Sequence, residues 1–232
     1  MNKKVYCGLQ IYVYIYIYMN NEYIFIHNPK TGGETIEIVL NIKKNHNHIY
    51  LRKNEIKDKY SFTFVRHPVS RIVSWYNHLL KHVYFTELKT NVLNNNSQCY
   101  KALKNNKKMG PEKHRILAEN NDINNWIKIM FSNINEYNKP DHGPLSFQYN
   151  FVYDLDCETQ LVTDVFRFEQ YEEELKILLK KLKKDCLIKD IKPTNYSKKK
   201  SEKLNSESLK LIHNYFKKDF DLFNYKLDDY EN

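Results

Sequence analysis

The stretch IFIHNPKTGGETIEIVL, Ile24 to Leu40, constrains the fold more than any other part of the chain. It joins an apolar run to a turn with two glycines and then to a run with helical periodicity. This order is typical of an anion-binding loop between a strand and a helix. In the usual triphosphate loop, G-x-x-x-x-G-K-[ST], lysine comes after the glycines. Here Lys30 precedes Gly32 and Gly33, so the sequence indicates a different anion.

The residues of this loop suit phosphate or sulfate. Gly32 and Gly33 let the backbone approach an anion closely, and a helix N-terminus adds unpaired N–H groups and a partial positive charge. Lys30 supplies a full charge, and the hydroxyls of Thr31 and Thr35 can donate hydrogen bonds. Taken alone, the segment also fits an ordinary turn with an exposed lysine.

A second segment, FTFVRHPVSRIVSWY, has the same strand-to-helix form. Arg66 follows the predicted strand, and Ser74 comes eight residues later. A guanidinium and a hydroxyl are suitable partners for a second phosphate. The alternative is that Arg66 and Arg71 are structural residues that pair with acidic neighbours.

Hydrophobic periodicity predicts alternating strands and helices. Predicted strands cover Tyr23–His27, His48–Leu51, Tyr60–Val65 and Val162–Phe168. Predicted helices run from Glu34 to about Lys44, after Pro68, around Ile123–Phe131, through Leu175–Leu182 and over Asn205–Phe216. The alternation predicts an α/β, P-loop-type three-layer fold, with a central parallel sheet flanked by helices and ligands at the carboxyl ends of the strands.

The chain length of 232 residues fits one domain. We expect a single α/β domain over residues 23–232, with a polar insertion near 91–110. Residues 1–22 form a low-complexity Tyr/Ile segment with strand-like alternation. Its apolar run VYCGLQIYVYIYIYM has 15 residues, fewer than the roughly 20 that a membrane helix needs, so no transmembrane span is predicted.

The charge and cysteine content narrow the classes of partner and site. A net charge of +9 suits a polyanionic partner, although lysine runs are also common on solvated surfaces. The four cysteines form no C-x-x-C pair, so a zinc module is not expected. One disulfide in an oxidising compartment stays open.

Together the two segments resemble the carbohydrate sulfotransferases of the Golgi type, which use 3'-phosphoadenosine 5'-phosphosulfate (PAPS). The family pattern of a strand followed by PKTGG-type residues reads FIHNPKTGGETIE here, and its VR-x-P-x-x-R-x-x-S-x-Y pattern reads VRHPVSRIVSWY. About half of the chain is covered by this resemblance. The segment 91–108 matches none of the family's elements.

The resemblance implies which residues bind the donor nucleotide. The 5'-phosphosulfate would be bound by the loop residues Lys30, Thr31, Gly32, Gly33, Glu34 and Thr35. The 3'-phosphate, which ATP lacks, would be bound by Arg66 and Ser74. Glu34 departs from the family, which more often has Thr or Ser at this position, and its carboxylate would repel an anion.

The implied reaction is in-line transfer of a sulfuryl group from PAPS to a hydroxyl, without a required metal. Lys30 would neutralise charge on the leaving nucleotide, and a general base would take the proton of the acceptor hydroxyl. His48 is our first candidate for this base, because related enzymes tend to carry a histidine after the first helix. His142 and Glu34 are the alternatives, whereas His46 and His67 are expected to be exposed or structural.

The resemblance implies a carbohydrate hydroxyl as acceptor, and the basic surface would fit an anionic glycan. It also implies a Golgi or secretory lumen, but no clear anchor or signal peptide is recognisable, which leaves a cytoplasmic location open. The sequence does not indicate the oligomeric state.

Two other function classes fit part of the sequence. A P-loop kinase or phosphotransferase shares the strand–loop–helix start, but the displaced lysine argues against it. A non-enzymatic basic module for nucleic acid or glycan fits the charge and the 19 tyrosines, but no nucleic-acid motif is present, and nucleic acid is not the expected partner. A sulfotransferase-like chain that binds nucleotide without activity is a third alternative.

Overall fold

The structure is a computed structural model that describes residues 23–81, 117–132, 143, 145–190 and 203–230. The N-terminal Tyr/Ile segment, the polar insertion and His142 lie outside these residues. The proposed division into an N-terminal segment and one domain therefore stays a prediction.

The described residues contain a parallel sheet with the strand order β1-β2-β3. The strands are β1 (Tyr23–Phe25), β2 (Tyr60–Val65) and β3 (Asp164–Arg167). In the register of the sheet, Phe62 of β2 lies opposite Phe25 of β1 and Asp164 of β3. Because the strands are parallel, their carboxyl ends meet at one edge of the sheet, where both predicted anion-binding segments begin.

Helices connect the strands and cover the sheet. They are α1 (Gly33–Leu40), α2 (Lys53–Ile56), α3 (Pro68–Lys81), α4 (Ile123–Ser132), α5 (Tyr171–Lys181), α6 (Ser206–Tyr215) and α7 (Lys217–Leu222). Short 3-10 turns cover Ile49–Arg52, Gln148–Phe151, Phe168–Gln170, Asp185–Asp190 and Leu227–Asp229. No helix in these described ranges is long and apolar enough to cross a membrane.

Two apolar clusters form the core, one on each side of the sheet. One cluster joins the aromatic side chains of the strands to α1 and α5, with Phe62, Phe64 and Leu178 fully buried. The other joins α3, α4 and α6, with Ile72 and Trp126 fully buried. A sheet with apolar layers on both sides is the predicted three-layer α/β fold, and this prediction is confirmed.

Most predicted elements are confirmed, but two predictions around α1 are wrong. The helix ends at Leu40, before Lys44, because Asn41 adopts the left-handed conformation (φ 51°). The strand predicted for His48–Leu51 is a 3-10 turn. The Arg52 guanidinium donates to the carbonyl of Phe25 at 3.0 Å, so a side chain occupies the position on β1 that a pairing strand would need.

We expect Leu178→Ala to lower the free energy of unfolding by about 2–5 kcal/mol, because it leaves a cavity in a fully buried cluster. The neighbouring Ile177 is 47% exposed on the same helix, so Ile177→Ala should change stability by less than about 0.5 kcal/mol. Chemical denaturation of both variants tests this assignment. Equal losses would contradict the orientation of α5.

Candidate functional site

The loop between β1 and α1 turns sharply at two residues. Lys30 has φ 68° and Gly32 has φ 81°, both in the left-handed region. The Thr31 hydroxyl is buried and donates to the Asn28 carbonyl at 2.7 Å, which fixes the turn internally. α1 begins after Gly32 without a side-chain cap, so no capping side chain covers the backbone at the helix start. The Thr35 N–H donates to the Gly32 carbonyl at 3.2 Å. The loop and the helix start can therefore receive an anion.

Both loop glycines are in contact with aromatic rings. A Cβ atom at Gly32 would lie 2.6 Å from the Tyr171 ring, whose hydroxyl donates to the Gly32 carbonyl at 2.8 Å. A Cβ atom at Gly33 would lie 2.2 Å from Nε2 of His27. Any side chain at these two positions would displace the loop from the rings that support it.

The structure brings Lys30 and Arg66 together at the carboxyl ends of β1 and β2. Arg66 donates from Nη1 to the Lys30 carbonyl at 3.3 Å, and its guanidinium lies 4.2 Å from the centre of the Phe168 ring. Burial lowers the pKa of Arg66 to about 10, while the nearby Glu169 acts in the opposite direction. Arg66 is therefore still positively charged at neutral pH, and two cationic residues lie at one edge of the sheet.

Ser74 lies in the middle of α3 and is half-buried. This helix begins at Pro68, a residue favoured in the first helical turn, two positions after Arg66. The pairing of Ser74 with Arg66 around one phosphate stays a prediction.

A buried charge pair lies behind the loop. Arg71 is fully buried and donates to the carbonyls of Pro29 at 3.0 Å and Ser146 at 2.8 Å. Burial lowers the pKa of Arg71 to about 10, and the attraction of Asp219 opposes this shift. Burial also raises the pKa of Asp219 to about 6. Its two hydrogen bonds to backbone carbonyls make Arg71 a structural support of the loop.

Two of the three candidates for a general base lie among the described residues, in different environments. His48 is fully buried, with Nδ1 3.1 Å from the Tyr50 hydroxyl and its ring edge-on to Phe151. Glu34 is half-buried in the first turn of α1, and its carboxylate lies 3.8 Å from the Lys44 ammonium, which offsets part of the negative charge beside the loop. His142 lies outside the described residues. The choice among them stays a prediction.

A histidine pair beside the loop was missed in the sequence analysis. His27 follows β1 at the end of the apolar run. Its Nδ1 atom lies 2.5 Å from the Glu37 carboxylate. The ring of His46 lies 4.1 Å from that of His27, and its Nδ1 is 3.1 Å from the His27 carbonyl. The sequence feature that could have indicated this role for His27 is its position between the apolar run of β1 and the glycine-containing loop. His46, expected to be exposed or structural, is half-buried against the start of the loop.

The charge state of His27 follows from its surroundings. Burial lowers the pKa of His27 to about 3, and nearby His46 and Lys44 act in the same direction. His27 is therefore neutral and donates from Nδ1 to Glu37. The other ring nitrogen, Nε2, faces Gly33.

Metal-binding residues are not clustered in the described part of the chain. Residues 23–81, 117–132, 143, 145–190 and 203–230 contain no group of three or more His, Cys, Asp or Glu side chains that could hold a metal ion.

The contact between Gly33 and His27 gives a double-mutant prediction. Gly33→Ala should lower the free energy of unfolding by about 1–3 kcal/mol, because its methyl group overlaps the imidazole. In a His27→Ala background the ring is gone, and the same substitution should cost clearly less. Chemical denaturation of the four chains measures this coupling. Equal costs in both backgrounds would show that the two residues are not in contact.

The lowered pKa of His27 predicts a pH-dependent role in stability. Below its ordinary pKa of 6.5, His27 binds a proton in the unfolded chain but not in the folded chain. Its contribution to stability is therefore complete above pH 6.5 and is lost as the pH falls towards 3. The free-energy difference between the wild type and His27→Asn should shrink by up to about 1.4 kcal/mol per pH unit over this range. Denaturation of both chains at pH 7 and pH 5 measures it, and an unchanged difference would mean that His27 titrates normally.

Comparison with known proteins identifies the family of this chain. The chain matches the model of the sulfotransferase family over residues 3–226. Searches of curated proteins and of solved structures found no match. The family match extends over almost the whole chain, including both candidate anion-binding segments and the sheet that holds them. The chain therefore belongs to the sulfotransferase family.

Proposed function

We propose that this protein transfers a sulfuryl group from PAPS to a hydroxyl, with a carbohydrate as the acceptor. The observation that carries the proposal is the contact of Arg66 with Lys30, 3.3 Å from guanidinium to carbonyl, at the edge where β1 and β2 end. It joins two cationic segments, each at a strand end, that can bind the two phosphate-bearing ends of one nucleotide. A triphosphate would need only the first of these segments.

The residues present fit this donor. The uncapped start of α1, with Gly32 and Gly33 packed on rings, leaves room for the 5'-phosphosulfate next to backbone N–H groups. The Arg66 guanidinium, with Ser74 on the following helix, would hold the 3'-phosphate. When bound, PAPS supplies an activated sulfuryl group.

In the proposed reaction, the chain positions the reactants and compensates charge. The acceptor oxygen forms a bond to sulfur while the bond from sulfur to the bridging phosphate oxygen breaks. Lys30 stabilises the negative charge that this oxygen gains. The acceptor proton passes to a general base, for which His48 is our first choice and His142 and Glu34 are the alternatives.

The acceptor class rests on the family resemblance and on charge. A surplus of nine positive charges favours an anionic glycan over a neutral small alcohol. Reactivity towards sulfated or carboxylated polysaccharides would support this assignment.

Thermal unfolding with nucleotides tests the donor. We expect adenosine 3',5'-bisphosphate, the product left after transfer, to stabilise the chain by about 2.7 kcal/mol at a hundredfold excess over its dissociation constant. ADP, which lacks the 3'-phosphate, should stabilise it less. The bisphosphate effect should be lost in Arg66→Ala and Lys30→Ala.

A neighbouring arginine provides the matched control for this experiment. Arg167 ends β3, lies 4.7 Å from the centre of the Tyr225 ring and donates to the Phe223 carbonyl. Arg167→Ala removes an arginine from the same edge of the sheet without touching either anion-binding segment, and the bisphosphate should still stabilise it. If ATP with magnesium stabilised the wild-type chain and the bisphosphate did not, the result would instead support a phosphotransferase.

Replacement of the first-choice base should lower turnover while nucleotide binding survives. We expect His48→Asn to reduce the rate of sulfuryl transfer by about 10²–10⁴-fold, the usual contribution of a general base. His213→Asn is the control, because this half-buried histidine lies on α6 beside Phe220. Unchanged turnover in His48→Asn would transfer the role to His142 or Glu34.

A further inference from the structure

The side chain of Gln148 clamps the backbone of Arg66. Its Oε1 atom accepts from the Arg66 N–H at 2.9 Å, and its Nε2 atom donates to the Arg66 carbonyl at 2.8 Å. Gln148 is fully buried. One side chain thus forms both hydrogen bonds that a neighbouring strand would form, at the residue that follows the end of β2.

The same amide also reaches the loop after β1. Asn28, which is fully buried, donates from Nδ2 to Oε1 of Gln148 at 3.0 Å and to the carbonyl of Phe64 at 3.0 Å. The carbonyl of Asn28 accepts from Thr31 inside the anion-binding loop. Gln148 is therefore a direct bridge between the base of the first anion-binding segment and the start of the second.

The position of Gln148 is itself fixed by a buried carboxylate. Asp219 accepts from the backbone N–H groups of Gln148 at 2.9 Å and Tyr149 at 3.0 Å. The charge of Asp219 is compensated by Arg71, which donates to the carbonyl of Pro29 in the first loop. Gln148, Asp219 and Arg71 are fully buried, so a shift of the bridge would leave buried donors or acceptors unpaired, a cost of about 1–3 kcal/mol each.

We propose that Gln148 is a positioning residue that sets the distance between the two anion-binding segments, so that both ends of one nucleotide bind together. This inference rests on the proposed function. A nucleotide with phosphates at both ends gains from a fixed spacing, because the chain needs no reordering when the second end binds. A nucleotide with phosphate at the 5' end alone occupies only the first segment and gains little from the bridge.

A purely structural role for Gln148 makes a different prediction. Loss of a buried amide would then lower stability and weaken all nucleotides alike. Coupling, in contrast, changes the ratio between the affinity for adenosine 3',5'-bisphosphate and the affinity for ADP. This ratio is the quantity to measure.

The test is calorimetric titration of the full chain with adenosine 3',5'-bisphosphate and with ADP. Gln148→Met keeps the size of the side chain and removes its hydrogen bonds. We expect the affinity for the bisphosphate to fall about tenfold, within the usual range of coupling between sites, and the affinity for ADP to change much less. Asn28→Ala removes the same contact from the other side, and this variant is measured instead if Gln148→Met does not fold.

The double variant distinguishes a bridge from two separate supports. If Asn28 and Gln148 act through one contact, Asn28→Ala should reduce bisphosphate affinity less in the Gln148→Met variant than in the wild type. Thr63→Val is the matched control. Thr63 is fully buried on β2 and donates to the Ile26 carbonyl at 2.7 Å, so this variant loses a buried hydrogen bond but removes no contact of the Gln148 amide. Its bisphosphate-to-ADP ratio should equal that of the wild type.

The outcomes separate this inference from the proposed function. A wild-type chain that prefers the bisphosphate, with an unchanged ratio in both Gln148→Met and Asn28→Ala, would overturn the coupling and leave the function intact. The same preference with a reduced ratio in both variants, but not in Thr63→Val, would support the coupling. A wild-type chain without any preference for the bisphosphate would overturn both.

Discussion

The site depends on a pair of opposite charges placed where water cannot solvate them. Arg71 and Asp219 are both fully buried, and burial disfavours the charged form of each. Neither could be removed alone without leaving an uncompensated charge in the core, which typically costs about 3–5 kcal/mol. Their hydrogen bonds end on the backbone of two separate segments, the first loop at Pro29 and the stretch from Ser146 to Tyr149, and they hold these segments in place. The loop after β1 is thus held from behind by hydrogen bonds from a buried charged side chain.

The parts of the fold that could be predicted are those encoded over short distances. The alternation of apolar runs and the glycine turn identified β1, β2 and the start of α1, and helical periodicity identified α3, α4 and α5. The segments that carry Lys30 and Arg66 were identified in the same way, from the residues beside them. Their position at one sheet edge follows from the parallel order of the strands.

The parts that could not be predicted depend on contacts between distant residues. The 3-10 turn at Ile49–Arg52 forms against β1 because Arg52 reaches a carbonyl 27 residues away, and no local pattern encodes that contact. Gln148 lies 82 residues along the chain from Arg66, and no local pattern indicates that its amide reaches that backbone. His27 could be read as the end of a strand, but its neutral state follows from burial among cationic neighbours.

The backbone of Lys30 adds a conflict between stability and activity. A lysine at φ 68° is in a conformation that glycine or asparagine adopts more easily, with a cost to other residues of about 1–3 kcal/mol. Selection for thermostability alone would therefore favour glycine or asparagine at this position. Such chains would gain stability and lose the ammonium group on which the proposed chemistry depends. In a library sorted for thermal resistance, the most stable variants at position 30 would be the least active ones, as expected where a functional residue is held under strain.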